Sequence, residues 1–330
     1  MKSVRFGNTG LMVSKLCLGT MTFGLQTGET ESWRILDHAF DAGIYFIDTA
    51  NVYPLGGGIE HAGRTEEIVG TWLKGRRDQV VLATKFVGEM GTSPLDAGAS
   101  RRHIFAAVDA SLRRLGTDYI DLYQLHRPDP GTPIEETLEA LTDLVKIGKV
   151  RYIGCSNFPA WRVARSLGHS EHHGFAKFAS LQPRYNLLFR EIERELLPLA
   201  AEEGLAVIPF NPIAGGMLSG KHRDLAQPAP GTRFNSTPAS ALYRRRYWHQ
   251  DMLEIVAELG GIAKEAGVSL VTLAVAWVLA NPAVTSPIIG ASSAEQLVDS
   301  IQAAEFELDQ ELKAKLDALT ADYRKGDWES

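Results

Sequence analysis

The sequence predicts an α/β fold, specifically a (β/α)8 TIM barrel with an N-terminal β-hairpin and an extra C-terminal helix. Short β-rich runs alternate along the chain with longer segments of helical periodicity, and eight such runs occur within 330 residues. Repeated βα units give parallel strands. Eight of them match the usual size of a closed barrel, whereas an open doubly wound sheet generally has fewer. We therefore interpret residues 1 to 330 as a single barrel domain.

The elements follow in order along the chain. Asn8-Thr9-Gly10 lies between two short apolar runs and predicts a hairpin that covers the bottom of the barrel. The eight barrel strands are predicted at residues 15 to 19, 44 to 48, 80 to 85, 120 to 126, 150 to 156, 178 to 182, 206 to 210 and 285 to 290. Helices are predicted at residues 32 to 42, 64 to 74, 101 to 115, 134 to 147, 158 to 167, 191 to 203, 250 to 281 and 293 to 305, with a further one at 309 to 319.

Three segments that leave predicted strands are long for plain connections. They cover about residues 49 to 63, 86 to 100 and 214 to 249, and they are rich in glycine and proline. In a TIM barrel the active site lies at the carboxyl ends of the strands, so we expect these loops to contribute to substrate and cofactor binding. The alternative is that they are surface insertions without a role.

Composition and charge narrow the class of protein. The net charge of −6 and the pI near 5.9 provide no general attraction for nucleic acid or anionic lipid. No apolar run approaches the roughly 20 residues that a membrane-spanning helix needs, and the N-terminus lacks a signal-peptide pattern. Cys17 and Cys155 both lie in strand-like apolar runs, where buried free thiols are common. We expect a cytoplasmic protein without a membrane or nucleic-acid partner.

Four polar residues lie at or just after predicted strand ends. Asp48 ends the second strand, Lys85 the third and His126 the fourth, while Tyr53 follows Asp48 by five residues. A single Asp or His at a strand end is more often structural. Because the carboxyl ends of all strands meet at one mouth of a barrel, these four together predict a catalytic group.

Reduction of a carbonyl is chemistry that these four side chains can perform. Charge builds on the carbonyl oxygen as hydride reaches the carbon, and a proton must be delivered to that oxygen. Tyr53 is the predicted donor, and the Lys85 ammonium is expected to lower its pKa. Asp48 is expected to pair with Lys85, and His126 to bind the substrate oxygen. The pattern has no close-spaced metal ligands, so no metal is expected.

The segments FIDTANVY, LATKF, LYQLHRPD, GKVRYIGCSNF and QPRYNLLFR resemble those of the aldo-keto reductase superfamily. The resemblance extends from about residue 3 to about residue 320. It is specific, because the Asp-x4-Tyr pair, the strand-end Lys and the strand-end His occur in the family's order. Within the superfamily the long loops resemble a bacterial oligomeric branch, which includes channel β subunits and keto-sugar reductases of antibiotic pathways. The resemblance thus implies a possible homo-oligomer.

The resemblance also implies a cofactor site. NADPH, in preference to NADH, is expected to lie extended across the barrel mouth without a Rossmann fingerprint. Ser156, Asn157 and Gln182 are expected to hold the nicotinamide carboxamide, and Phe210 to stack on the ring. The other cofactor-binding residues implied are Gly19, Thr20, Met21 and Asp48, then Asn211, Pro212, Ile213, Gly215 and Lys221 after the seventh strand, then Gly290, Ser292, Gln296 and Ser300 at the adenosine end, with Lys221 and Arg233 as partners of a 2′-phosphate.

The sequence departs from the family pattern at three of these positions. Phe210 and Asn211 stand where the family often has Trp or Tyr followed by Ser, and Ser300 stands where it has Asn. These departures leave the catalytic assignment unaffected. They bear on cofactor affinity and on the preference for NADPH over NADH.

The expected function is the reduction of an aldehyde or ketone, a small-molecule carbonyl substrate, to an alcohol. Hydride would come from the nicotinamide and the proton from Tyr53. Two alternatives stay open: a reductase of nucleotide-linked keto-sugars, and a nicotinamide-sensing binding subunit in the manner of channel β subunits. The candidates to line a roomy, partly aromatic substrate pocket are Tyr53, Trp33, Met90, Arg127, Tyr243 and Trp248. For each of them except Tyr53, a role in core or surface packing is the open alternative.

Overall fold

The computed structural model describes residues 1–222, 225–228, 231–235 and 239–324. Two strands form an N-terminal hairpin, β1 (Ser3–Arg5) and β2 (Met12–Ser14). Eight more form the central sheet: β3 (Cys17–Gly19), β4 (Phe46–Asp48), β5 (Val81–Phe86), β6 (Ile120–Leu125), β7 (Val150–Ser156), β8 (Phe178–Gln182), β9 (Ala206–Val207) and β10 (Ile288–Ile289).

Helices surround this sheet. The first six each connect two successive barrel strands: α1 (Glu29–Asp41), α2 (Arg64–Leu73), α3 (Arg101–Leu115), α4 (Ile134–Lys146), α5 (Ala160–His173) and α6 (Leu196–Glu202). Three lie between β9 and β10: α7 (Ser240–Tyr247), α8 (Gln250–Glu265) and α9 (Leu270–Leu279). The last two follow β10: α10 (Leu297–Gln302) and α11 (Gln310–Leu319). Short 3-10 turns lie at Ile59–His61, Arg77–Gln79, Glu191–Glu193, Ala214–Ser219, Ala294–Gln296 and Ala321–Arg324.

The sheet closes into a barrel. Its strand order is β10-β3-β4-β5-β6-β7-β8-β9, and every neighbouring pair is parallel. Parallel bridges from Val207 to Val284 and from Phe210 to Ile288 join the two outer strands. The predicted (β/α)8 fold is therefore confirmed, together with its N-terminal hairpin and its additional C-terminal helix.

The hairpin fills the amino-terminal end of the barrel, as predicted. Phe6 and Val13 are buried in one apolar cluster with Phe46, Val81 and other side chains of the barrel interior. The rings of Phe6 and Phe46 pack edge to face with centroids 5.8 Å apart. A larger apolar cluster fills the layer between the strands and the helices. Because the bottom is plugged, only the carboxyl ends of the strands are free to form a site.

The predicted helix at 250 to 281 is wrong in its continuity. The chain breaks between α8 and α9, which are bent by 91°. Gly267 adopts a left-handed φ of 71°, and the Ser269 side chain then accepts the backbone N–H of Thr272 at 3.0 Å. Gly267 thus ends one helix and Ser269 begins the next. This local signal for a break was obscured by the apolar periodicity that runs across both residues.

Several predicted strands and helices are also shorter or shifted. The seventh and eighth barrel strands cover only two residues each as regular strand. Isolated bridges outside them complete the closure of the barrel. The predicted helix at 191 to 203 is a 3-10 turn followed by α6, and α5 runs on to His173.

In the part of the chain that the structure describes, no single helix is long and apolar enough to cross a membrane; only the bent pair α8 and α9 passes that test jointly.

Candidate active site

Lys85 is the centre of the predicted catalytic group. It lies near the carboxyl end of β5, is fully buried, and donates to Asp48 Oδ1 at 2.5 Å, to the Thr49 carbonyl at 2.9 Å and to the Tyr53 hydroxyl at 3.3 Å. The register of the parallel sheet causes this convergence, since Asp48 ends β4, the neighbour of β5. One ammonium therefore bridges the carboxylate and the phenol.

His126 completes the group from the next strand. It follows β6 directly, and its ring meets that of Tyr53 edge to face with centroids 5.7 Å apart. Both side chains line the same groove at the barrel mouth. The structure thus brings Asp48, Tyr53, Lys85 and His126 together, as the sequence predicted.

The electrostatics of the group differ in one respect from expectation. Burial raises the pKa of Tyr53, and the Lys85 ammonium opposes this rise without reversing it. Lys85 thus acts on Tyr53 in the expected direction, but the net pKa of the phenol is raised rather than lowered. For Lys85 itself, burial lowers the pKa, but Asp48 and Tyr53 outweigh it and the net direction is upward. The resting state is an ammonium beside a neutral phenol.

His126 is neutral over the physiological range. Desolvation in the mouth, followed by the positive charges of Lys85 and Arg127, lowers the pKa of His126 to about 3. A neutral imidazole both donates and accepts hydrogen bonds through its two ring nitrogens. It can therefore bind a carbonyl oxygen without carrying a charge of its own.

A buried amide that sequence reasoning missed supports the floor of the group. Gln124, in β6 and fully buried, donates to Asp48 Oδ2 at 3.1 Å, and Gln182 donates to the same oxygen at 2.9 Å. Gln182 Nε2 also lies 3.2 Å from Gln124 Oε1. The Asp48 carboxylate is thus held by three donors. Gln124 lies two residues before His126, so its side chain shares the interior-facing side of β6 with that residue, and this alternation was the signal that could have found it.

The groove above this floor has a volume of about 670 Å³. Every residue predicted to bind the cofactor lines it, and of the predicted catalytic residues only Lys85 lies beneath its surface. A 670 Å³ groove is within the usual range for small-molecule and cofactor sites. The groove is also lined by residues that were not individually predicted, among them Thr22, Gln26, Gly216, Ser219, Leu242, Arg246, Val271 and Asp299.

The three residues predicted to hold a carboxamide are adjacent but already partly engaged. Ser156 donates to the Gln182 carbonyl at 2.8 Å, and Asn157 donates to the Ser156 hydroxyl at 2.9 Å and to the His126 carbonyl at 3.0 Å. Gln182 donates its amide N–H groups to Asp48 and Gln124. Each residue therefore offers chiefly an oxygen to the groove, which suits the N–H groups of an amide ligand.

The side-chain amide of Asn211 bonds within the protein. Its Oδ1 accepts the Gly215 N–H at 2.6 Å, and its Nδ2 donates to the Tyr247 hydroxyl at 2.9 Å. The residue adopts a left-handed φ of 66°, and the amide pins the turn that follows. Only the backbone face of this loop, with Phe210 before it and Gly215 after it, is left for a ligand.

Three cationic side chains line the groove: Lys221, Arg233 and Arg246. Arg233 donates to the Tyr243 hydroxyl at 3.3 Å, a neutral partner, and no carboxylate pairs with any of the three among the residues that the structure describes. Unpaired cations in a concave site favour an anionic ligand. Together with the amide and hydroxyl oxygens, this donor set fits a dinucleotide with several phosphate groups.

The residues predicted to bind the adenosine also line the groove. Gln296 Oε1 accepts from both the backbone N–H and the hydroxyl of Ser292, at 3.0 and 3.1 Å. Gly290 and the buried Ser300 line the groove as well. The side-chain amide N–H groups of Gln296 remain available to a ligand.

The predicted aromatic substrate pocket is confirmed only in part. Tyr243 lines the groove beside Tyr53, with its ring where a Cβ on Gly215 would stand. Trp33 instead donates to the Ile68 carbonyl in the helix layer, and Trp248 packs on Phe234. The remaining two, Met90 and Arg127, do not line the groove either.

Comparison with known proteins gives the same assignment over most of the chain. The model of the aldo/keto reductase family matches residues 15–321. The uncharacterized oxidoreductase YrpG of Bacillus subtilis (strain 168) is 42% identical over 326 residues, which cover 97% of this chain and 96% of the relative. The versiconal hemiacetal acetate reductase of Aspergillus parasiticus is 36% identical, with 93% and 94% covered.

A relative with a different kind of name is about as similar as the second of these. A probable voltage-gated potassium channel subunit beta of Arabidopsis thaliana is 37% identical, with 92% of each chain covered. Members of the family act on carbonyl compounds and use nicotinamide cofactors. Since the family model and these relatives span nearly the whole chain, the protein belongs to the aldo/keto reductase family of oxidoreductases.

Proposed function

We propose that this protein is an NADPH-dependent reductase that converts an aldehyde or ketone into an alcohol, with Asp48, Tyr53, Lys85 and His126 as its catalytic residues. The observation that carries the proposal is the position of the Lys85 ammonium, which bonds the Asp48 carboxylate and the Tyr53 phenol at once. A bound reduced nicotinamide would supply the hydride that reaches the carbonyl carbon.

Tyr53 supplies the proton. Its raised pKa keeps the phenol protonated at neutral pH, as an acid in the reductive direction requires. When the proton passes to the substrate oxygen, the O–H bond of Tyr53 breaks and a phenolate forms 3.3 Å from the Lys85 ammonium. That charge is stabilised by an attraction absent from the neutral resting state, and such differential stabilisation lowers the barrier.

Asp48 and His126 have supporting roles in the proposal. Asp48 keeps Lys85 charged in a fully buried place, where a lone cation would be costly. His126 is uncharged, so its ring can donate a hydrogen bond to the carbonyl oxygen and orient it toward Tyr53. The phenol and the imidazole together then define where the oxygen of the substrate lies.

The preference for NADPH over NADH rests on the cations of the groove. NADPH carries a 2′-phosphate in addition to the pyrophosphate, and Lys221, Arg233 and Arg246 offer three positive charges without carboxylate partners among the described residues. Ser156, Asn157 and Gln182 would hold the carboxamide through their oxygens, and Phe210 would stack on the ring. The glycines among the remaining predicted cofactor residues would let the backbone approach the cofactor, and Gln296 would offer its side-chain amide.

The test is NADPH oxidation, followed by its absorbance, against small aldehydes, aromatic aldehydes, α-diketones and keto-sugars. Tyr53→Phe should lower kcat by about 10²-fold or more, because the proton donor is lost. Tyr45→Phe is the matched control: its hydroxyl donates to Ser3 at the opposite end of the barrel, and the variant should retain wild-type kcat. Full turnover in Tyr53→Phe would contradict the mechanism.

The panel also separates the alternatives. Tight binding of NADPH without turnover on any carbonyl would favour a nicotinamide-sensing subunit, a role in keeping with the similarity to a potassium channel subunit beta. Turnover confined to nucleotide-linked keto-sugars would identify the protein as a sugar reductase with the same mechanism.

A further inference from the structure

Glu66 is a fully buried carboxylate that the proposed mechanism does not use. It lies in the first turn of α2, behind the barrel wall, and its side chain has 0% exposure. Arg114 at the end of α3 bonds its Oε2 through Nε at 2.8 Å and through Nη2 at 2.7 Å. The Thr84 hydroxyl of β5 bonds its Oε1 at 2.6 Å. One carboxylate therefore joins two helices and a barrel strand, and Glu66, Arg114 and Thr84 together form a joint between α2, α3 and β5.

This joint is linked to both members of the pair formed by Lys85 and Tyr53. Thr84 immediately precedes Lys85 in β5. On the other side, the backbone N–H groups of Gly63 and Thr65, which flank the start of α2, donate to the Tyr53 carbonyl at 3.2 and 3.4 Å. The position of α2 thus determines where the Tyr53 backbone lies, and the position of β5 determines where Lys85 lies.

Helices α2 and α3 pack closely around these residues. A Cβ on Gly63, which has a φ of 92°, would stand 2.7 Å from Arg114 Cδ. A Cβ on Gly70 would stand 2.3 Å from the Arg114 carbonyl oxygen. The backbone of α2 therefore approaches both the side chain and the backbone of Arg114 closely, and small displacements of either helix would be felt at the ion pair.

We propose that Glu66, with its partners Arg114 and Thr84, is a positioning residue that holds the Tyr53 hydroxyl within hydrogen-bond distance of Lys85. It acts through the first turn of α2 and through β5, without touching substrate or cofactor. The proposal rests on the proposed function, since it concerns the same proton donor. It predicts that loosening the joint lowers the rate of the chemical step while ligand binding is retained.

Two variants test it, and a second buried ion pair provides the control. Glu66→Gln keeps the shape and an acceptor for Thr84 but removes the charge that pairs with Arg114, and Thr84→Val removes only the hydroxyl. Asp121→Asn is the control: Asp121 pairs with Arg77 at 2.7 Å and accepts the Leu82 N–H at 2.9 Å, with both side chains about as buried as Arg114. It also joins β5 to β6, but at the amino-terminal end of the barrel.

The measurements are kcat, KM for the carbonyl, NADPH affinity by fluorescence titration, melting temperature and the pH dependence of kcat. Glu66→Gln should lower kcat by about tenfold or more, since small displacements of reacting groups are costly, with NADPH affinity and KM within about twofold of wild type. Thr84→Val should show a smaller loss of the same kind. Asp121→Asn should lower the melting temperature comparably and keep wild-type kcat.

The pH dependence distinguishes positioning from a general loss of stability. Lys85 opposes the rise in the pKa of Tyr53, so a longer distance between them should raise that pKa further. The alkaline decline of kcat for carbonyl reduction should therefore move to higher pH in Glu66→Gln and stay in place in Asp121→Asn.

Three results would overturn the proposal: wild-type kcat in Glu66→Gln, parallel losses of kcat in Glu66→Gln and Asp121→Asn, or a loss confined to NADPH affinity. Failure of the proposed function looks different. In that case the wild-type protein would not turn over any carbonyl, or Tyr53→Phe would remain active, and the positioning role would fall with it.

Discussion

The imidazole of His126 lies at the mouth of the barrel, within the influence of two positive charges, Lys85 and Arg127. Its pKa of about 3 means that the folded protein holds it neutral, whereas the unfolded chain protonates it below its ordinary pKa of 6.5. Stability from this group is therefore fully present above pH 6.5 and is lost progressively as pH falls from 6.5 toward 3.

The consequence can be measured as the pH dependence of unfolding. At pH 5, protonation of His126 in the unfolded chain should account for roughly 1 to 2 kcal/mol of lost stability, after allowance for its partial exposure. His126→Gln should flatten the stability profile between pH 6.5 and pH 4, measured by urea denaturation. An unchanged slope in His126→Gln would contradict the prediction.

Arg246 lines the groove, although it was not predicted individually as a cofactor-binding residue. It lies on the face of α7 that also carries Leu242 and Tyr243 into the groove, while Arg245 on the same helix is exposed. If Arg246 faces a cofactor phosphate, Arg246→Met should weaken NADPH binding by about ten- to hundredfold, the range of a single charge-assisted hydrogen bond.

The matched variant is Arg245→Met, which removes the same charge one position away. It should leave NADPH affinity within about twofold of wild type. Fluorescence titration with NADPH and with NADH would also tell which phosphate is involved. Equal losses for both cofactors indicate the pyrophosphate, and a loss for NADPH alone indicates the 2′-phosphate. Equal effects of Arg245→Met and Arg246→Met would contradict a specific contact.

At the scale of elements, the break between α8 and α9 determines the direction of a helix that reaches the groove. Gly267 ends the first helix in the left-handed region, and Ser269 begins the second with its hydroxyl on the Thr272 N–H. Val271, in the first turn of α9, lines the groove. The Ser269 cap therefore helps to set the direction of a helix whose first turn forms part of the groove wall.

Removing this cap should cost stability in a predictable way. Ser269→Ala loses the acceptor for the Thr272 N–H and should lower the free energy of unfolding by about 1 kcal/mol. Ser269→Asp, which retains a capping oxygen, should stay within about 0.5 kcal/mol of wild type. Urea denaturation of the three proteins measures the difference. If the alanine and aspartate variants were equally destabilised, the cap would not be the cause.

At the scale of the whole molecule, the two ends of the barrel have separate tasks. The hairpin plugs the amino-terminal end with Phe6 and Val13, while the groove and the catalytic group lie at the carboxyl end. Stability at one end and chemistry at the other should therefore respond to different substitutions.

Phe6→Ala tests this separation. Phe6 is 1% exposed and packs on Phe46, so its loss should lower the free energy of unfolding by about 3 to 5 kcal/mol. The kcat of the folded fraction should remain near that of wild type. Denaturation and steady-state kinetics below the melting transition measure the two quantities. A fall in kcat as large as that of Tyr53→Phe would show that the ends are coupled.

The sequence by itself determined the fold and the identity of the central residues. Alternating strand and helix periods are local properties, and Asp48, Lys85 and His126 stand at strand ends that a parallel barrel must bring to one mouth. The hairpin at Asn8-Thr9-Gly10 and the lining of the groove followed from equally local signals or from the family resemblance.

Only the tertiary structure decided how these side chains are used. The pKa of Tyr53 rises because burial outweighs Lys85, and this balance depends on packing from many segments. The Asn211 side chain binds Tyr247, 36 residues later, and Glu66 meets Arg114, 48 residues later, behind the wall. Pairs so far apart along the chain leave no mark in its local periodicity, because distance in space is fixed only when the barrel closes.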